Sequence, residues 1–409
     1  MNRLFVSALT LIVSFSAAAD KDFGGYKLGD PSDIDEIAAE LKLSKETVRT
    51  MHPETIRNLR VLMKVPSVYT VSDIKPSVVV GPGEIYDSMW MDIRDDRIWI
   101  GDRGKDTHDG KSGSVVSINL NGGDVKREIG FSQLSPLRDI AFAPDSFGFG
   151  AENLVVFSQP AVGFAGSLQD HLISRVIVDE RAVARTLCEL PAGSSRGTEL
   201  VTGPDGSEFE GHMFVGLASS KSVVKVSPDG SCTPLVTELP GFTMGLAFTP
   251  DGKHLLVGLK DAEQPWVDER MRKGSVIKVD RAGNIVGDPV ATGLEMPMSF
   301  AYAPRQWGRY AGQLFLVDAG AWQDRPPRGN LLKPDARIYR INDSGKKDLV
   351  ASGFANAIDI QFNRKDLFVS DPQGDYYGGV FIVADQLADF QPGRELPDSI
   401  VYKLTYVGR

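Results

Sequence analysis

The chain has 409 residues, and its 45 Lys and Arg stand against 54 Asp and Glu for a formal net charge of −9. That balance excludes a broad nucleic-acid footprint, which needs a basic face. The 42 Gly and 24 Pro suit many short strands joined by tight turns.

Residues 1–19 read as a secretory signal. Arg3 supplies the positive start, 4–15 are mostly apolar, and Ala17, Ala18 and Ala19 offer a small-residue cut site before Asp20. The apolar segment is too short to span a bilayer, and no later stretch reaches about eighteen apolar residues. The expectation is a soluble, exported protein, periplasmic or secreted, cut after Ala19 and without a membrane span. A helical extension follows over 20–65. Ser32 or Asp33 caps a helix with Ile34, Ile37, Ala38 and Leu41 at helical spacing. A second helix starts after Ser44. A third starts at Pro53 and carries Ile56, Leu59 and Leu62. Residues 37–49 resemble the turn of a DNA-reading helix pair. Acidic charge and the lack of a basic recognition helix favour an amphipathic hairpin instead.

From residue 66 to 409 the helical period gives way to a repeat. First strands are expected at 90–93, 139–142, 199–202, 245–248, 299–302 and 359–362, spaced by 49, 60, 46, 54 and 60 residues. Turns such as Pro204-Asp205-Gly206 and Pro250-Asp251-Gly252 follow them, since Pro fixes φ and Gly accepts positive φ. Second strands are expected at 97–101, 153–157, 212–216, 254–258, 313–317 and 366–370. Third strands fall at 114–120, 172–178, 222–226, 275–279, 337–341 and 380–383, and fourth strands include 233–238 and 347–351. Such units read as an all-β, six-bladed β-propeller of four-stranded antiparallel blades, with a short helical N-terminal extension. The ring must close, and either 77–81 or 400–406 can complete the last blade. A monomer is expected.

Cys188 and Cys232 fall in the fourth strands of neighbouring repeats. An even count in an oxidising compartment permits a disulfide. Outer strands of adjacent blades splay, so two partly buried thiols are the alternative.

The long insertions lie between second and third strands, at one end of the propeller, where function concentrates on loops. Arg103 and His108 lie in the first, Asp261 and Trp266 in the fourth, Asp318, Trp322 and Arg325 in the fifth, and Asp371 and Tyr376 in the sixth. Loops leading into first strands add Glu84, Tyr86, Arg138, Arg196, Met244, Met298, Asn356 and Asp359, and Glu199 follows Arg196 closely. Arginines grip carboxylates, and aromatic rings stack on a planar ligand or sugar face. Tyr86, Trp266, Trp322, Arg103, Arg325 and Tyr376 are thus candidates for substrate binding. Glu84, Asp261, Asp318, Asn356 and Asp371 carry the oxygen chemistry a hard cation such as Ca²⁺ favours. Asp102, Asp318 and Asp371 also have a purely structural reading, as acceptors for backbone amides of the next turn. His108, flanked by Asp106 and Asp109, is the candidate general base among five histidines, with Arg138 and Arg196 as catalytic partners. The alternative reading of Arg138 and Arg196 is structural pairing with Asp139 and Glu199. No clustered Cys/His spacing for zinc is present.

Residues 310–322, after Met296-Pro297-Met298-Ser299, resemble blades of the soluble glucose/sorbosone dehydrogenases. The x-Pro-Asp-Gly-x-x-Leu-x-Val phrases resemble the senescence-marker/gluconolactonase group and NHL-repeat proteins. The resemblance covers about 76–409 and implies six blades. The dehydrogenases imply pyrroloquinoline quinone with Ca²⁺, arginines and a catalytic His, although Leu134-Ser135-Pro136-Leu137-Arg138 holds no histidine. The gluconolactonases imply a divalent metal held by Glu, Asn and Asp, which Glu84, Asn356 and Asp261 or Asp318 match in chemistry. The expected function is therefore an enzyme acting on a small polar sugar- or lactone-like molecule, first a sugar-dehydrogenase-like oxidoreductase and second a metal-dependent lactonase. A non-catalytic NHL-type binding or scaffold propeller is the reading from another class.

Overall fold

The computed structural model describes residues 68–408 together with Ala39 and Lys45, apart from 82–83, 87, 103–112, 135–136, 149–152, 159–171, 178–182, 191–196, 219, 262–273, 320–335, 343, 355–356 and 372–398. The chain divides into two units, Met1–Arg60 and Val61–Arg409. In the first, Ala39 and Lys45 are helical and exposed. The expected signal segment and most of the expected helices lie outside the described residues.

The second unit is a β-propeller. It opens with β1 (Tyr69–Thr70) and β2 (Ile74–Val80). Blade 1 holds β3 (Ser88–Arg94), β4 (Arg97–Asp102), β5 (Gly113–Asn119) and β6 (Lys126–Leu134). Blade 2 holds β7 (Leu137–Phe142), β8 (Asn153–Ser158), β9 (Leu172–Ile177) and β10 (Val183–Glu189). Blade 3 holds β11 (Gly197–Thr202), β12 (Met213–Leu217), β13 (Ser222–Val226) and β14 (Cys232–Val236). Blade 4 holds β15 (Gly241–Phe248), β16 (Leu255–Asp261), β17 (Gly274–Val279) and β18 (Ala291–Leu294). Blade 5 holds β19 (Pro297–Tyr302), β20 (Leu314–Asp318), β21 (Ala336–Ile341) and β22 (Lys347–Phe354), with β1 added outside as a fifth strand. Blade 6 holds β23 (Asp359–Asn363), β24 (Asp366–Asp371), β25 (Ile400–Tyr406) and, outermost, β2. Among the described residues no helix is long and apolar enough to cross a membrane.

Blade 6 departs from the expected register. The third strand was expected at 380–383, which lie outside the described residues, and its place is taken by β25. That strand pairs with β24 from Asp371↔Ile400 to Asp366↔Thr405 and with β2 on its other side. Ile400, Val401, Tyr402 and Leu404 are all buried, as suits a strand covered on both faces. Both candidate closing strands are therefore used. β2 takes the exposed edge, where Lys75 and Pro76 blunt it against further pairing.

The core lies between blades. One apolar cluster joins Phe214, Val223 and Val236 of blade 3 to Leu246, Val257 and Ile277 of blade 4. Another joins Val80, Phe368 and Val401 of blade 6 to Met91, Ile98 and Ile100 of blade 1. A blade alone has two bare faces, and stacking around the ring covers both.

Outside these cores the blades also meet backbone to backbone. The hairpin turn between third and fourth strands carries a glycine at positive φ in four blades: Gly122 (φ 82), Gly230 (φ 83), Gly283 (φ 85) and Gly345 (φ 75). Each faces the outer strand, or the residue beside it, of the preceding blade. A Cβ on Gly122 would stand 2.7 Å from the Val79 carbonyl, and one on Gly230 3.0 Å from that of Leu187. The Gly230 turn thus brings blade 3 against β10, and there Cys188 and Cys232 form a disulfide with Cα atoms 6.1 Å apart. The splay expected between outer strands is closed at this point by the turn.

Candidate functional site

The strand ends place the long connections together. Links 103–112, 159–171, 262–273, 319–335 and 372–399 all join a second strand to a third and belong to the end where first strands begin. The equivalent link in blade 3, 218–221, is short. At the other end the longest links are 280–290 and 303–313, and the shortest, 95–96 and 364–365, are two-residue turns.

Inside, the first strands carry a ring of polar side chains at one aligned position: Asp139, Glu199, Ser299 and Asp359, all buried. Each reaches the next blade. The Leu200 N–H donates to Asp139 Oδ2, and the Leu246 N–H to Glu199 Oε2. The Ile360 N–H points to Ser299 Oγ at 3.5 Å, and the Met91 N–H donates to Asp359 Oδ2 at 2.7 Å. Blade 1 has Trp90 at this position, and Asp92 acts two residues later, accepting the Phe142 N–H at 3.2 Å. Blade 4 has Gly245, whose Cβ would stand 2.6 Å from the Met298 carbonyl, so blade 5 leaves no room for a side chain.

The ring is acidic and mutually repelling. Burial pushes Asp139 well above the usual carboxylate range, and neighbouring Asp359 and Asp92 push the same way against the Leu200 and Ile140 amides. Burial likewise lifts Glu199 well above its ordinary value, with Asp359 and Asp139 adding to it. Burial raises Asp359 to about 6, against the bonds from Ser299, Met91 and Ile360. Asp92 is raised by burial and held back by the Phe142 and Ile93 amides and by Arg94.

The expected site residues divide sharply. Asp318 is buried at the end of β20, and its Oδ1 accepts the Met296 N–H at 2.7 Å while both oxygens accept the Glu295 N–H at 3.1–3.2 Å. Those bonds fit the structural reading, a carboxylate stapling the turn into β19. Asp102 is also buried, but the bonds to its Oδ2 come from side chains: Arg127 Nη1 donates at 2.8 Å and the Ser114 O–H at 3.1 Å. Arg127 Nη2 also donates to the Glu84 carbonyl at 3.2 Å, tying the approach to β3 to the end of β4. Glu84 is exposed, while Tyr86 is partly buried and its carbonyl accepts the Ser399 O–H at 3.1 Å.

Arg138 lies on β7, Asp261 ends β16 and Asp371 ends β24, so all three backbones sit at the long-loop end, and their side chains are outside the described part. His108, Arg103, Arg196, Trp266, Trp322, Arg325, Asn356 and Tyr376 lie outside the described residues. Among the described residues no group of three or more His, Cys, Asp or Glu side chains is arranged to hold a metal ion.

Asp139 and Ser299 were not among the expected site residues, and Glu199 and Asp359 had no role within the ring. Their signal is in the repeat alignment: a polar residue recurs at the first position of strands that otherwise run apolar, as in Asp139-Ile140-Ala141-Phe142 and Glu199-Leu200-Val201-Thr202.

No known family model matches the chain, and no curated protein matches it. Among solved structures, a gluconolactonase from Xanthomonas campestris is 13% identical with a TM-score of 0.51, over 84% of this chain and 95% of that one. A soluble aldose sugar dehydrogenase from Escherichia coli, in its apo form, is 12% identical with a TM-score of 0.51, over 81% and 99%. At such identities the likeness is one of fold, and the fold they share with this chain is the β-propeller.

Proposed function

We propose that this protein is an exported enzyme acting, as a monomer, on a sugar or sugar lactone at the long-loop end of the channel. The observation that carries the reading is that five of the six links between second and third strands, all at the end where first strands begin, run to ten residues or more. The two solved propellers named above are a gluconolactonase and an aldose sugar dehydrogenase, which supports the substrate class. The disulfide between Cys188 and Cys232 supports an oxidising compartment and, with residues 1–19, export.

Within that reading, lactone opening is favoured over sugar oxidation. By residue type, Glu84, Asp261, Asn356 and Asp371 would supply the oxygen donors that suit Ca²⁺. Asp318 is left out because backbone amides occupy both of its oxygens. A bound Ca²⁺ would supply a Lewis acid for the lactone carbonyl. His108 would take the proton of the attacking water. Arg138 and Arg196 would face the developing negative charge, with Arg103 and Arg325 holding substrate oxygens. Tyr86, Trp266, Trp322 and Tyr376 would stack on the ring. The start of β7 holds no histidine for quinone chemistry, so no step is derived through pyrroloquinoline quinone.

The test is a substrate panel of aldonolactones and aldoses. Proton release on lactones that requires added Ca²⁺ and stops with chelator is the expected result. Dye reduction by aldoses only after adding pyrroloquinoline quinone would instead support the oxidoreductase. Binding of sugars without turnover in either assay would make the chain a binding propeller.

A further inference from the structure

Ser299 Oγ sits between two carboxylates with one proton to give. It lies 2.6 Å from Asp359 Oδ1 and 3.3 Å from Glu199 Oε1. The shorter contact marks where the Ser299 O–H goes, since Asp359 also accepts the Ile360 N–H at 2.8 Å and the Met91 N–H at 2.7 Å and is built to hold negative charge. With that proton committed, an ionised Glu199 would set lone pair against lone pair across 3.3 Å. A proton on Glu199 turns the contact into a bond. Its position follows as well: Oε2 already accepts the Leu246 N–H, so the proton is on Oε1.

We propose that Glu199, Ser299 and Asp359 form a shared-proton relay across the channel. Glu199 Oε1–H donates to Ser299 Oγ, and Ser299 O–H donates to Asp359 Oδ1, joining blades 3, 5 and 6 in a clasp that loosens when the Glu199 proton leaves to solvent. The other groups facing the relay are acids: Asp139 from β7 and Asp92 from β3. β15 brings Gly245, with no side chain, to the same ring position. Arg94, the cation beside Asp92, acts on that residue. Burial and these like charges hold Glu199 above the usual carboxylate range, in keeping with a retained proton. The relay does not depend on the proposed catalytic reading, because none of its three members is assigned a role in it.

Glu199→Gln is the decisive variant. A glutamine amide reproduces the protonated acid, donating from nitrogen to Ser299 and accepting the Leu246 N–H on oxygen. The folded wild type keeps a proton that the unfolded chain releases, so its stability is greatest at low pH and falls as pH rises. The urea midpoint of the wild type should therefore drop from about pH 5 to about pH 8. E199Q should lose the Glu199 share of that drop, keep the shares of Asp359 and Asp139, and exceed the wild type at about pH 8. Infrared spectroscopy of the full wild-type chain at about pH 7 should show a protonated-carboxyl band that shrinks in E199Q. A midpoint in E199Q that tracks the wild type at every pH would overturn the relay. So would an E199Q chain that does not fold, or a wild type without the protonated-carboxyl band.

Discussion

Around the centre, five blades reach the next with a side-chain oxygen; around the rim, four reach the previous one with a glycine turn. The two sets of joints meet at three seams, between blades 2 and 3, 3 and 4, and 6 and 1. Between blades 2 and 3 the Asp139 carboxylate takes the Leu200 amide at the centre, while the Gly230 turn and the disulfide hold the outside. Between blades 6 and 1 Asp359 takes the Met91 amide, while the Gly122 turn meets β2. The materials differ in what they answer to. Buried carboxylates answer to pH. Positive-φ turns, paired strands and a disulfide answer to sterics, chain continuity and redox state.

The rim is broken most severely by removing its closing strand. A chain beginning after Val80 lacks β1 and β2, strips β25 of a partner and uncovers the core that Ile74 and Val80 help fill. It should fail to give a cooperative melt by circular dichroism, whereas a chain beginning at Val61 retains one. Next in size is the disulfide. With its cysteines 44 residues apart, C188A/C232A should lose about 4 kcal/mol on the chain-entropy account. Chemical denaturation of the variant against the oxidised wild type checks this. The smallest effect separates two adjacent glycines. Gly122 (φ 82) faces the Val79 carbonyl, while Gly123 (φ 74) has nothing within 4 Å of a built Cβ. Gly122→Ala should cost about 2–3 kcal/mol and Gly123→Ala about 1 kcal/mol, the second being backbone strain alone. Equal losses would remove the close approach from the account of the rim.

Much of the rim could be read from the chain. Pro228-Asp229-Gly230 and Asn121-Gly122-Gly123 announce hairpin turns because their residues suit that backbone, and alternating runs such as Ser222–Val226 announce strands. The last blade was harder. β24 and β25 are separated by 372–399, and local pattern says nothing about which distant strand fills the third place. The disulfide was left open because strand splay is a property of whole blades, and a single turn at Gly230 cancels it locally. The centre was least legible. Asp139, Glu199 and Asp359 look like ordinary strand-start acids until the ring places each beside the next blade's amide and all three beside one another. That adjacency is set by closure of the whole propeller, which no short stretch encodes. The candidate site residues were named from loop position and residue type, and of them only Asp318, Glu84 and Tyr86 have described side chains to set beside that reading.

The difference between centre and rim is tested most directly by measuring unfolding free energy against pH in two chains, the wild type and C188A/C232A. Asp359 is raised from 3.8 to about 6 in the folded state, so its proton stabilises the fold at low pH and that stability is lost as pH climbs through about 6. From about pH 4 to about pH 8 this residue alone amounts to a loss of about 2 kcal/mol, with Glu199 and Asp139 acting in the same direction. Acids nearer the surface such as Asp124 and the partly buried Asp348 are held below 3.8 by their Arg97 and Arg340 partners, so the stability they contribute is lost beneath that window. The account predicts the same fall in both chains, with a constant offset from the missing disulfide. A flat wild-type profile, or an offset that changes with pH as much as the wild type does, would contradict it.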